Sequence, residues 1–181
     1  MSLTLKTDRL ILRPPEDGDA EAVARAIGDI EVARNLRIVP HPYPPEAALG
    51  WFVFVRIGVR RGTNFTWLIF DKTNQLAGCI GVFKRGSDPD WEVGYWMAKT
   101  AWGRGYATEA LEAIVGWVGG ELGANRLVAG YFDDNPASRR VLEKAGFKPT
   151  GCAGAEYALA RNASAICVGM ALDIDDARDA A

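Results

Sequence analysis

Histidine is nearly missing from this sequence: His41 is the only one among 181 residues. A zinc site built on imidazole is therefore not expected, and no metal cofactor is. Cysteine is scarce as well. Cys79, Cys152 and Cys167 lie far apart with no C-x-x-C spacing, which excludes a disulfide framework and points to thiols kept in a reducing compartment. No apolar run approaches the roughly 20 residues of a membrane span. The polar stretch from Thr4 to Arg9 lacks the apolar core of a signal peptide. A basic excess is absent too: 21 Lys and Arg stand against 23 Asp and Glu, for a formal net charge of -2. Binding to nucleic acid or to an anionic membrane would need a basic patch, so neither partner is expected. These absences together predict a cytoplasmic protein.

What is present suits one well-packed domain. Hydrophobic residues make up 49% and charged residues 24%, enough for a sizeable core. A single domain is expected over residues 1–174, with a frayed tail at 175–181. The alternation of Leu3, Leu5, Leu10 and Leu12 reads as an opening strand interrupted near Asp8. Asp17 reads as the N-cap of a helix that presents Ala20, Val23, Ala24 and Ile27 and ends at Gly28. Four prolines between Pro40 and Pro45 exclude helix and central strand and leave an extended loop. A second helix is predicted from Pro45 to about Gly58, with Trp51, Phe52 and Phe54 read chiefly as core. Three strands, 64–70, 76–84 and 91–98, follow with short turns at 71–74 and 85–89, the pattern of an antiparallel meander.

From Gly105 to Leu122 the period changes. Ala107, Ala110, Leu111, Ile114, Val115 and Val118 follow the stripe of an amphipathic helix. A strand at 126–132 comes next, then a helix opened by Asn135 and Pro136, then two weaker strands near 147–159 and 165–174. The order predicts an α+β fold with a strongly twisted mixed sheet of six to seven strands and about four helices. The strand before Gly103, the helix after it and the strand at Arg126 form one parallel crossover.

Trp102-Gly103-Arg104-Gly105-Tyr106-Ala107 lies at the strand–helix junction of that crossover. Glycines there let the backbone turn tightly, and the unpaired amides of the helix start suit a pyrophosphate. The segment is not a P-loop, which ends in Gly-Lys-Ser/Thr. It is not a dinucleotide fingerprint either, since the third glycine is missing and no repeated parallel unit follows.

Three ordered segments carry a resemblance. Trp91-Glu-Val-Gly-Tyr-Trp-Met-Ala98, the Trp102–Ala110 segment and Asn135-Pro-Ala-Ser-Arg-Arg-Val-Leu-Glu-Lys-Ala-Gly-Phe147 resemble the GNAT N-acetyltransferases. More narrowly they are similar to the RimJ/RimL-like branch, the ribosomal-protein N-terminal acetyltransferases. Thr7-Asp-Arg-Leu-Ile-Leu-Arg13 and His41-Pro-Tyr43 resemble the first strand and a loop of that branch, so the likeness spans nearly the whole chain. The resemblance implies acetyl-CoA as acetyl donor. The backbone of Gly103, Arg104, Gly105, Tyr106 and Ala107, with Trp102 beside it, would hold the pyrophosphate. Trp96 and Met97 would pair with the strand-like pantetheine arm, between two strands that splay apart. Asn135 would hydrogen-bond that arm, and Ser138 would lie near the thioester sulfur. A protonated amine is no nucleophile, so a base is needed. Glu92 is the candidate, through water, and an N–H near Met97 would stabilise the oxyanion. Ser138 is the second catalytic candidate. Each has a plainer reading, Glu92 as a solvated strand residue and Ser138 as an ordinary first-turn serine.

His41 and Tyr43 are candidates for acceptor binding, against a reading of both as loop packing. One departure from the wider family stands out: the helix tyrosine that often acts as acid is Leu142 here, leaving Ser138, Tyr131 or water to serve. The implied partner is an amine-bearing acceptor, a protein N-terminus or a small molecule. The alternative class is a non-catalytic acetyl-CoA-binding module. The family resemblance also allows a homodimer.

Overall fold

The structure is a computed structural model that describes residues 3–84 and 89–174. Residues 85–88 of the turn expected at 85–89 and the tail at 175–181 lie outside the described residues. The elements run β1 (Leu5–Lys6), β2 (Leu10–Arg13), α1 (Ala20–Ile27), α2 (Ile30–Ala33), α3 (Pro45–Arg61), β3 (Asn64–Asp71), β4 (Leu76–Lys84), β5 (Trp91–Met97), α4 (Tyr106–Glu121), β6 (Arg126–Phe132), α5 (Pro136–Lys144), β7 (Lys148–Ala158) and β8 (Ala163–Asp173). They build one eight-stranded sheet in the order β1-β2-β3-β4-β5-β6-β8-β7. That is one strand more than the upper expectation, because the break near Asp8 divides the opening strand in two.

Every neighbouring pair is antiparallel except β5 and β6, the parallel crossover through α4. Two cores lie on the two faces. On one, Ala110, Leu111, Ile114 and Trp117 of α4 and Leu142 of α5 pack on Trp67, Ile80, Val93, Leu127 and Met170. On the other, Val23, Ile27, Ala48 and Phe52 of α1 and α3 pack on Leu68, Phe70, Cys79 and Trp96. The period-2 alternation of β5 divides it between them: Trp91 and Val93 belong to the first core, Trp96 to the second. Trp117 meets Trp67 edge-on at 4.8 Å and Phe65 at 5.0 Å between ring centroids, contacts worth about 0.5–1.5 kcal/mol each beyond burial. Trp67, Trp91 and Trp117 are therefore core.

Two expectations are corrected. Asp17 does not cap α1; a 3-10 turn at Asp17–Asp19 precedes the helix, and Asp19 accepts the Glu16 amide at 2.8 Å in a capping box. Phe54 is not core: it is 63% exposed, whereas Phe52 is fully buried. Among the described residues no helix is long and apolar enough to cross a membrane.

Candidate active site

The sheet is open in the middle. β5 and β6 pair only at Trp91↔Leu127 and Glu92↔Val128. On its other side β5 is paired with β4 from Trp91 to Met97, and β6 with β8 from Arg126 to Phe132. Past Glu92 the inner edges part, and a strand's edge carries backbone donors and acceptors that need partners. A cleft of about 1490 Å³ passes through this gap, lined among others by Tyr95, Met97, Gly105, Ser138, Tyr43 and Glu92. A narrow strand-like ligand fits there better than a bulky one.

One end of the cleft opens on the glycine turn. Gly103 and Gly105 have φ of +74° and +77°, the left-handed region that side chains resist. The first bond of α4 runs from Glu109 N to Gly105 O at 3.1 Å. The amides of Tyr106, Ala107 and Thr108 precede it, at the positive end of a 16-residue helix. Trp102 folds back so that its Nε1 donates to Met97 O at 2.9 Å, tying the turn to the end of β5. The chain between β1 and β2 braces the turn from outside. Arg9 Nη1 donates to Arg104 O at 2.9 Å and Arg9 Nε to Glu109 Oε2 at 2.7 Å. Glu109 Oε1 also accepts from Thr7 Oγ1 at 2.6 Å and from Arg9 N at 2.9 Å. Burial pushes the Glu109 carboxyl upward, but these donors outweigh it and hold the group below its usual range. This end suits an anion.

The other wall of the gap is the start of α5. Asn135 Oδ1 accepts the Ser138 amide at 3.1 Å, so Asn135 is the helix cap expected of it. Tyr95, reaching from β5, places its hydroxyl 2.9 Å from Ser138 Oγ and 3.1 Å from Ser138 O. Burial pushes the Tyr95 phenol up to about 12, with the Ser138 bond acting the other way. Leu142 is buried in the core, so this position leaves no acid for the gap. Tyr131 lines the cleft.

At the far end stands Glu92, on the sheet face opposite Trp91. Arg37 Nη2 donates to Glu92 Oε1 at 3.0 Å, and Arg37 Nη1 lies 3.6 Å from Glu156 Oε2 on β7. The strap carrying Arg37 is tied to the β7–β8 hairpin: Leu159 N donates to Arg37 O at 3.0 Å. Arg161 pairs with Asp134 at 2.7 Å and bonds Arg34 O, while Arg34 reaches Asp134 at 3.2 Å. Tyr43 is half-buried and lines the cleft beside the strap, its phenol pushed up to about 12 by burial and then by Cys79. His41 is exposed and is not among the lining residues. Trp51 and Phe54 line the cleft.

Sequence reading missed Arg37, Arg9, Glu109 and Tyr95. Arg9 lay inside a motif already noted, and Tyr95 shares the sheet face of α5 by simple alternation; both were within reach. Arg37 gave no signal, because its partners are distant in sequence and its own stretch has no period.

The family model of the acetyltransferase (GNAT) domain matches residues 9–148. YoaA of Bacillus subtilis, an uncharacterized N-acetyltransferase, is 31% identical over 153 residues, 81% of this chain and 84% of its own length. The ribosomal protein uS5-alanine N-acetyltransferase of Escherichia coli is 27% identical over 161 residues, 82% of this chain and 80% of its own. Among solved structures, a ribosomal-protein-S5-alanine acetyltransferase from Vibrio fischeri superposes with a TM-score of 0.83 at 19% identity, over 97% of this chain and 98% of that one. RimJ of Mycobacterium smegmatis, in complex with CoA-disulfide, does so with a TM-score of 0.81 at 21% identity, over 92% and 83%. With that match over most of its length, on a sheet parted where a thioester with an anionic tail would enter, the chain belongs to the GNAT N-acetyltransferases, whose acetyl donor is acetyl-CoA.

Proposed function

We infer that this protein, acting in the cytoplasm as one catalytic domain, moves an acetyl group onto a primary amine by direct attack, and that the amine is a protein or peptide N-terminus. The observation that carries the reading is the two-pair contact of β5 and β6, which leaves a strand-shaped gap running from the glycine turn to Glu92. Acetyl-CoA supplies there a thioester carbonyl and a thiolate leaving group.

The chain's own residues divide the work. The amides from Gly103 to Ala107, with Arg104 and Trp102 alongside, hold the pyrophosphate. The β5 edge at Trp96 and Met97 pairs with the pantetheine arm, and the Asn135 amide adds a donor from the opposite wall. Glu92 removes a proton from the incoming ammonium through water, with Arg37 fixing the direction of its carboxylate. Ser138 offers a hydroxyl to the sulfur. Tyr43 lines the acceptor path. The uS5-alanine acetyltransferase relative supports an α-amine as acceptor.

Calorimetric titration with acetyl-CoA, run beside Gly105→Glu, tests this. The wild type binds at one site and the variant does not, since its carboxylate repels the pyrophosphate and a side chain at φ +77° strains the turn. Peptides beginning with Ser and Ala are then screened against small amines. A wild type that fails to bind acetyl-CoA sinks the proposal; acetylation of small amines alone moves the acceptor to that class.

A further inference from the structure

Tyr95 and Ser138 stand on opposite walls of the gap, one on β5 and one in the first turn of α5. They are the polar link between those walls at that level, and their geometry offers a choice. A hydroxyl has one proton and two lone pairs. The phenol has two acceptors in reach, Ser138 O at 3.1 Å and Ser138 Oγ at 2.9 Å. If it donates to the carbonyl, the serine proton is spent on Tyr95 and the gap receives none. If it donates to Oγ, the serine proton turns outward. The carbonyl tolerates the change, because it lies inside α5, where the amide four residues on is its regular donor.

We propose that Tyr95 is a positioning residue for the transfer, which by donating to Ser138 Oγ turns the serine hydroxyl into a donor aimed at the thioester sulfur. This rests on the reading that Ser138 lies beside that sulfur. The raised ionisation of the buried phenol, to about 12, keeps its proton in place throughout the neutral range. As the amine nitrogen bonds to the acyl carbon, the C–S bonding pair passes to sulfur and the serine hydrogen bond strengthens with the charge. The proton shed by the amine leaves through Glu92 and water. Neither Tyr95 nor Ser138 loses a proton, which explains how a fold with Leu142 in place of the helix tyrosine can still stabilise its leaving group.

The test uses reduced CoA bound to the wild type, Tyr95→Phe, Ser138→Ala and the double variant, with the thiolate followed by ultraviolet absorbance against pH. Each single change is expected to raise the ionisation midpoint of the bound thiol by about one unit, tenfold in its ionisation constant. The double variant moves no further, and CoA affinity at low pH stays within about twofold. A mere strut between the walls would give the reverse in Tyr95→Phe, weaker CoA binding with an unmoved midpoint, and that result overturns the proposal. A Tyr95→Phe shift that persists in the Ser138→Ala background also overturns it. A midpoint unmoved in Ser138→Ala removes Ser138 from the sulfur. CoA that fails to bind even the wild type defeats the proposed function itself, and this inference with it.

Discussion

Arg37 and Glu92 meet at the end of the cleft away from the glycine turn, guanidinium to carboxylate at 3.0 Å, with both side chains mostly buried. The pair joins a strap between α2 and α3 to the strand that lines the donor gap. Glu92→Gln keeps the shape and removes the proposed proton acceptor, so kcat is expected to fall about 100-fold or more with acetyl-CoA affinity unchanged. Arg37→Met leaves the Glu92 and Glu156 carboxylates without their shared cation, and kcat falls by roughly tenfold as the base loses its fixed direction. Steady-state kinetics with calorimetry separates the two effects. Full activity in Glu92→Gln would assign the base elsewhere.

The brace on the glycine turn makes an acid-sensitive contribution. The Glu109 carboxyl is held below its ordinary value of 4.5. A depressed value in the folded state means stability that is present above the unfolded value and is lost as pH falls through the folded one. Glu109→Gln should therefore melt below the wild type at neutral pH, and the gap between them should close as pH drops under 4.5. Thermal melts across that range decide it. A gap of constant size would mean that the side chain acts by shape and not by charge.

Two glycine substitutions should have opposite signs. A β-carbon at Gly58 would sit 2.4 Å from Asn64 Cβ, so Gly58→Ala forces α3 off β3 and is expected to cost about 1–3 kcal/mol. Gly116, inside α4, has nothing within 4 Å of that position. Gly116→Ala is expected to stabilise by about 0.4–1 kcal/mol by restricting the unfolded chain. Urea denaturation measures both.

The three thiols should differ in reactivity. Cys152 is exposed, Cys167 is half-buried, and Cys79 is buried with its ionisation pushed up by desolvation. Alkylation of the native protein followed by mass spectrometry is expected to label Cys152 first and Cys79 only on unfolding. Cys167 lies against Gly130 within the cleft, so acetyl-CoA should slow its labelling.

Much of the frame was legible because it follows from local pattern. The bounds of β4 and β6 and the start of α5 at Pro136 come from alternation, breakers and caps. The glycine turn was legible as an anion cradle because its chemistry is backbone chemistry. What escaped is set by long-range pairing. The four residues of α2 are too few to display a helical period. The Arg161–Asp134–Arg34 tie depends on a hairpin whose alanine-rich sequence says little about where it docks. Alternation puts Tyr95 on the face that α5 covers, but its meeting with Ser138 depends on where α5 docks.

The break between β5 and β6 has a consequence for the protein's life in solution. The sheet is two slabs, five strands and three, stitched by two residue pairs, so a ligand seated in the gap acts as the strand that the polypeptide does not supply. Anything that binds only the folded form stabilises it by mass action, about 2.7 kcal/mol at a hundredfold excess over its dissociation constant. The protein's resistance to unfolding and to proteolysis is therefore expected to rise with the concentration of its acetyl donor.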